Sequence, residues 1–306
     1  MGKDPPRQGG RAYAWRPPPP VRSAAAGRAQ EGDVRVADDL PDKAPPGIDP
    51  STPTFARVYD YFLGGKDNFA ADREVADMVL QLVPEAPVVA KGNRVAIERA
   101  VTYMAAELGI DQFVDIGSGL PTSSNVHQFA RAANPHARVV YVDNDPIVLA
   151  HGRALLTETG VATFIQGDLY EPEKIFTDPA LAALLDLSRP VGIVLAAIIH
   201  HVPDDRDPAG VVRGLLPFLA TGSHVMLTHL HDSGDDPRVE EAKRILQSGL
   251  GGSYFRHSSE IERFMAGLTI LEPGVAHVTE WRPDGPAGPL EHPLHTQMAA
   301  VMGRKE

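Results

Sequence analysis

The chain has 306 residues, 43% hydrophobic and 23% charged, with no cysteine and a net charge of −11. That composition suits one large globular domain or two small ones with an ample core, and it excludes disulfides and thiolate metal sites. Residues 1–30 carry +5 and the remainder −16; so acidic a body argues against nucleic acid as the main partner.

In chain order, residues 1–47 read as a disordered Pro/Ala/Arg-rich tail, with Pro17-Pro18-Pro19-Pro20 and Pro45-Pro46 and few large apolar residues to offset ordering entropy. No secretory h-region is visible in it. Residues 48–109 read as a helical cap or lid. A first helix is predicted from Ser51-Thr52-Pro53 to Leu63, closed by Gly64-Gly65, and a second over 70–82. A third covers 88–108, with Ile97, Val101, Met104 and Leu108 on one face.

From residue 110 to 306, strands alternate with helices. Strands are predicted at 111–116, 138–142, 162–166, 190–197, 223–230, 269–272 and 295–302. Helices are predicted at 121–133, 146–157, 179–185, 208–219, 237–248 and 258–266. Such alternation implies an α/β, Rossmann-like, doubly wound and mostly parallel seven-stranded sheet with right-handed crossovers. The longest apolar run, Val191–Ile199, is strand-sized and far short of a membrane helix. No membrane partner is expected, and a reducing cytoplasm is the compatible compartment.

The densest chemical signal is Phe113-Val114-Asp115-Ile116-Gly117-Ser118-Gly119-Leu120-Pro121, with a helix expected from Pro121 or Thr122. The next strand ends in Asp143. Glycines allow a ligand to pack on the backbone, and an acid at the end of the second strand grips ribose hydroxyls. A dinucleotide site wants a third glycine where Thr122 stands. Asp115, two positions before the first glycine, suits S-adenosylmethionine, which carries an ammonium and a sulfonium and no phosphate. The bland alternative is a tight turn that binds nothing. Asp115, Asp143, Asp168 and His200 all fall at carboxyl ends of successive strands, where α/β sheets bind ligands.

Asp168, followed by Leu169, is placed on the adenine amino group; a helix-capping role is its alternative. His200 is the candidate general base, its alternative being to pack on the cofactor. His224, His229, His231 and Asp232 lack metal-site spacing, so no metal is expected. Tyr170 and Lys174 have the Y-x-x-x-K spacing of some dehydrogenases, but Pro172 between them spoils it. Tyr59 to Arg73 reads either as a lid hinged at Gly64-Gly65 or as a static brace; as a lid it brings Gly65 and Asn68 to the cofactor. Arg94 is placed on the cofactor's carboxylate.

Several of these runs together resemble the bacterial S-adenosylmethionine-dependent methyltransferase family long catalogued as a domain of unknown function. They are Ile48-Asp49-Pro50-Ser51-Thr52-Pro53, Ala56-Arg57-Val58-Tyr59-Asp60-Tyr61, Leu63-Gly64-Gly65-Lys66-Asp67-Asn68, Asp115-Ile116-Gly117-Ser118-Gly119-Leu120-Pro121-Thr122, Val140-Tyr141-Val142-Asp143-Asn144-Asp145-Pro146 and His200-His201-Val202-Pro203-Asp204. The resemblance covers about Ile48 to Lys305. It implies a class I methyltransferase fold and S-adenosylmethionine as cofactor, with Asn144 beside Asp143 in the site. Ser118 and His201 stand where the family more often has threonine and an apolar residue. The expected activity is methyl transfer to an unidentified small molecule. A non-catalytic S-adenosylmethionine-binding protein and a nicotinamide-dependent oxidoreductase are the alternatives. The sequence names neither the acceptor nor the oligomeric state.

Overall fold

A computed structural model describes residues 49–122, 124–158, 160–232, 237–283 and 297–306. The tail expected over 1–47 lies outside the described residues, as does the start of the last predicted strand.

The described residues open with three helices: α1 (Phe55–Phe62), α2 (Ala70–Leu82) and α3 (Ala86–Ala106). The first begins later than Ser51 because the Asp49 carboxylate holds a separate turn. It accepts from the Ser51 N–H at 2.9 Å, the Ser51 hydroxyl at 2.6 Å and the Thr52 hydroxyl at 2.7 Å. Such side-chain-to-backbone bonds compete with a helix. Thr54 is then the extended N-cap.

The cap is tied together by polar side chains of α1 and α2 that a simple amphipathic helix would not bury. Asp72 is fully buried and accepts from the Thr54 N–H at 2.9 Å and the Phe69 N–H at 2.8 Å, so one carboxylate caps the starts of both α1 and α2. Arg57 pairs with it at 2.9 Å, donates to the Thr52 carbonyl and lies over the Phe69 ring. Asp60, also buried, organises the following turn. It accepts from the Asp67 N–H at 2.9 Å and the Asn68 amide at 3.0 Å, and a Cβ added at Gly65 would lie 1.9 Å from its Oδ1. Asp67 reaches beyond the cap to His151, 3.4 Å away.

The sheet has eight strands. Five are parallel: β1 (Gln112–Ile116), β2 (Arg138–Asp143), β3 (Ala162–Gln166), β4 (Gly192–Ala196) and β5 (His224–Leu230). The short β6 (Thr269–Ile270) and β7 (Ala276–His277) and the long β8 (Met298–Arg304) complete it, with β8 antiparallel to β5. The order is β3-β2-β1-β4-β5-β8-β6, with β7 also paired to β8. Strand order reverses between β1 and β4, which places a ligand crevice at their carboxyl ends. The eighth strand is the two-residue β7, too short to show alternation in sequence.

Helices α4 (Val126–Ala133), α5 (Pro146–Leu155), α6 (Pro172–Phe176), α7 (Pro179–Leu184), α8 (Pro208–Leu215), α9 (Pro237–Leu250) and α10 (Ser258–Phe264) follow in turn. One core, with Ile116, Val140 and Leu195, covers one face of the sheet. The other, with Phe113, Tyr141 and Met226, lies on the opposite face. Burial on both faces is what a parallel sheet requires.

The expected helix at Pro121 starts instead at Val126. Asn125 forms a capping box with Gln128, accepting from the Thr122 N–H at 3.1 Å while its own N–H donates to Gln128 at 2.7 Å. Asn125 thus outcompetes Pro121 as a start signal. Among the described residues no helix is long and apolar enough to cross a membrane.

Candidate active site

At the crevice between β1 and β4 a cavity of about 840 Å³ opens beneath the cap. Asp115, Gly117, Ser118, Gly119, Asp143 and Asn144 line its floor. Gly117 has φ +72 and Gly119 φ +66, a region that favours glycine. A Cβ on Gly117 would also meet Ile198 at 2.7 Å. The loop is pinned by Asp143, whose Oδ2 accepts from the Gly119 N–H at 2.9 Å and Oδ1 from the Asp145 N–H at 3.0 Å. Burial raises the Asp143 carboxyl above the ordinary carboxylate range, offset in part by those backbone bonds.

Asp115 is different. Only 6% exposed, its carboxylate accepts no hydrogen bond from any described residue. Burial pushes its carboxyl up to about 7, with Arg94 opposing and Asp143 reinforcing the shift. A buried acid without a partner is costly unless a ligand supplies one. Arg94 lines the same cavity, donates to the Ser124 carbonyl and has its guanidinium 5.9 Å from the centre of the Phe129 ring.

The wall at the end of β4 is formed by Ala197, Ile198, His200 and His201. Ala197 has φ +54, a strained value for alanine. Its N–H donates to Thr228 Oγ1 at 2.9 Å; that hydroxyl donates to Asn93 Oδ1 at 2.7 Å. The Asn93 amide donates to the Tyr59 hydroxyl at 3.0 Å, and the hydroxyl donates to the Ala90 carbonyl at 3.0 Å. A continuous polar chain therefore runs from the cap through α3 to the strained corner of the site.

The two histidines are held in opposite tautomers. His200 Nδ1 accepts from the Leu230 N–H at 3.4 Å, so its hydrogen sits on Nε2. Its expected role as a base therefore meets a ring whose lone pair is already engaged. His201 Nδ1 donates to the Gly252 carbonyl at 3.1 Å, which leaves Nε2 with a free lone pair, and its ring lies tilted against Phe55, centroids 3.6 Å apart. Burial lowers both rings, His201 to about 4, so both are neutral near pH 7.

Of the other residues singled out in the sequence, Asp168, Leu169, Gly65 and Asn68 do not line the cavity. Asp168 Oδ1 accepts from the Tyr170 N–H at 2.9 Å, the capping arrangement. Leu169 is packed in the core. Asn68 spends its amide on Asp60 and the Gly65 carbonyl, and the need for glycine at 65 comes from Asp60. Lys174 pairs with Glu171. His229 donates from Nδ1 to the Leu230 carbonyl and accepts from Arg256, while His231 bonds Ser258. Among the described residues no three such groups could hold a metal ion. Sequence reasoning passed over Asn93 and Thr228; the one available signal was that Asn93 adjoins Arg94 in a helix facing the glycine loop.

The sequence profile of the S-adenosyl methyltransferase family matches residues 41–306. The chain belongs to that family. A solved structure of a putative methyltransferase from Thermobifida fusca is 42% identical, with a TM-score of 0.80, over 87% of this chain and 100% of that one. A duf574 family protein from Streptomyces avermitilis is 37% identical, with a TM-score of 0.79, over 83% of this chain and 98% of that one. No curated protein matches the chain. The family establishes S-adenosylmethionine as the cofactor and the fold as that of the class I methyltransferases. The cavity fits it: the unpartnered Asp115 carboxylate, the open glycine loop and the strand-end Asp143 are what an ammonium and a ribose require.

Proposed function

We propose that this protein transfers the methyl group of S-adenosylmethionine to a small molecule bound in the same cavity. The observation that carries this reading is the size and continuity of that cavity, about 840 Å³. This lies near the top of the range of roughly 300–1,000 Å³ for ligand pockets. A protein that only bound the cofactor would need no such extra space beside it.

The cofactor supplies an electrophilic methyl on a positively charged sulfur. Asp115 holds its ammonium, Asp143 with Asn144 beside it holds the ribose, and Arg94 holds the carboxylate. Gly117 and Gly119 let the backbone approach. His201 Nε2 receives the acceptor's proton; its ring is fixed by Gly252 and kept neutral by burial, so the lone pair is free at neutral pH. Most of the rate comes from positioning. The acidic body repels polyanions, which argues against nucleic acid as the acceptor.

The test is to incubate the protein with methyl-labelled S-adenosylmethionine and a cell extract separated into small-molecule, protein and nucleic-acid fractions. Label is expected in the small-molecule fraction alone. Label confined to protein or nucleic acid would overturn the reading, as would calorimetry showing that S-adenosylhomocysteine does not bind.

A further inference from the structure

The cavity has two chemically distinct ends, and the end away from the glycine loop has no place in cofactor binding. On one side α2 and the turn after it supply Val79 and Val83. Across from them α9 supplies Val239, Ala242 and Leu246, with Phe255 beyond. These side chains form one apolar cluster, joined by Phe62 of α1 and Val89 of α3. The side chains that face one another here are all aliphatic or aromatic, whereas the floor holds Asp115 and Asp143, with Arg94 on the same cavity. The cationic neighbour Lys243 is spent on Asp232 at 3.2 Å and on Glu240, and lies over the outer ring Phe255. Phe55 and His201 line the cavity as a close, tilted ring pair, their centroids 3.6 Å apart at 31°, and His201 brings a hydrogen-bonding nitrogen to it.

The geometry points to an acceptor subsite for an uncharged, ring-sized apolar molecule with a single hydroxyl or amine. Its body lies between α2 and α9, and its polar group lies at the Phe55–His201 pair. This rests on the reading that the protein is a small-molecule methyltransferase. A charged acceptor would lose its hydration in this end with nothing to replace it. A flat apolar one gains buried area, and aromatic edges or faces find Phe62 and Phe255. The hydroxyl or amine hydrogen donates to His201 Nε2, whose lone pair is left free by the Nδ1 bond to Gly252. Acceptors whose only nucleophile is a carboxylate, and nucleotides or sugars, are excluded on the same grounds.

The test uses 2-naphthol as the probe, followed by its fluorescence, with 2-naphthoate as the charged control and S-adenosylhomocysteine binding measured in parallel. The expected result is one saturable 2-naphthol site in the full chain, bound at least about tenfold more tightly than 2-naphthoate. Leu246→Glu should weaken 2-naphthol by about tenfold or more and leave S-adenosylhomocysteine affinity within about threefold. Ala242→Phe, which fills the same end without adding charge, should do likewise and keeps the test decisive if the charged variant does not fold. If S-adenosylhomocysteine binds normally but 2-naphthol binds both variants as well as the wild type, or no more tightly than 2-naphthoate, this inference fails and the parent reading survives. If S-adenosylhomocysteine does not bind the wild type, the parent reading fails instead.

Discussion

Replacing Asp115 by asparagine should make the ligand-free protein more stable while disabling cofactor binding. Burial holds the Asp115 carboxyl at about 7, against an ordinary value of 3.8. Below about pH 3 the acid is neutral in folded and unfolded chains alike and costs nothing. As pH rises toward 7 the unfolded chain sheds its proton first, the folded one resists, and stability is lost. Above 7 the full difference is felt, about 4 kcal/mol at pH 8 and about 2 kcal/mol at pH 5. Asparagine never ionises, so Asp115→Asn should raise the unfolding free energy by about 2–4 kcal/mol at pH 8, with the gap shrinking by about 2 kcal/mol at pH 5. Urea unfolding at the two pH values measures this. In the same variant S-adenosylhomocysteine affinity should fall by roughly ten- to a hundredfold, the scale of a lost charged hydrogen bond. In the wild type it should weaken by about tenfold between pH 8 and pH 6 as Asp115 takes up a proton. A variant less stable than the wild type at pH 8, or a gap indifferent to pH, would refute the account of Asp115 as an acid awaiting a cationic ligand.

Arg57→Ala should destabilise the protein by about 3–5 kcal/mol, read as a lowered denaturation midpoint, because it leaves the fully buried Asp72 charge unpaired. Gly117→Ala should abolish S-adenosylhomocysteine binding in calorimetry, since φ +72 and the 2.7 Å approach to Ile198 both oppose a Cβ; Ile198→Ala in the same chain should restore part of it by removing the clash. Asn93→Ala should cost about 1–3 kcal/mol by chemical denaturation, because it strips partners from the Tyr59 and Thr228 hydroxyls, and it should also weaken S-adenosylhomocysteine binding through the corner at Ala197.

The glycine loop and its two acids were legible because the signal is local. Asp115, Gly117 and Gly119 lie in one turn, and Asp143 ends the next strand, so spacing alone brings them together. The parallel sheet was legible for the same reason, through its alternation of elements. Gly65 and Asn68 do not line the cavity, and the sequence could not show this, because a glycine demanded by a ligand and one demanded by a neighbouring carboxylate look alike; here Asp60, five residues earlier, makes the demand at Gly65. Asp168 looked like its neighbours at strand ends, yet its carboxylate turns back onto the Tyr170 N–H. The start of α4 was lost to Asn125, a stronger cap than the proline before it. The apolar end of the cavity was invisible for a deeper reason. Val79 and Val239 read as ordinary core positions, and only the tertiary fold leaves space between their helices.

That apolar end also bears on how the protein is made. The ion pair of Arg57 and Asp72 joins residues close in the chain, so the cap can assemble soon after it leaves the ribosome. Its α2 face, with Val79 and Val83, is covered only in part, by Phe62 and Val89, until α9 has been synthesised. At roughly 5–20 residues per second that interval lasts roughly ten to thirty seconds. During it a greasy surface stands open on an otherwise acidic chain. Slower translation or scarce chaperones should therefore lower the yield of folded protein, and the losses should be greatest for nascent chains halted between the completion of α2 and the emergence of α9.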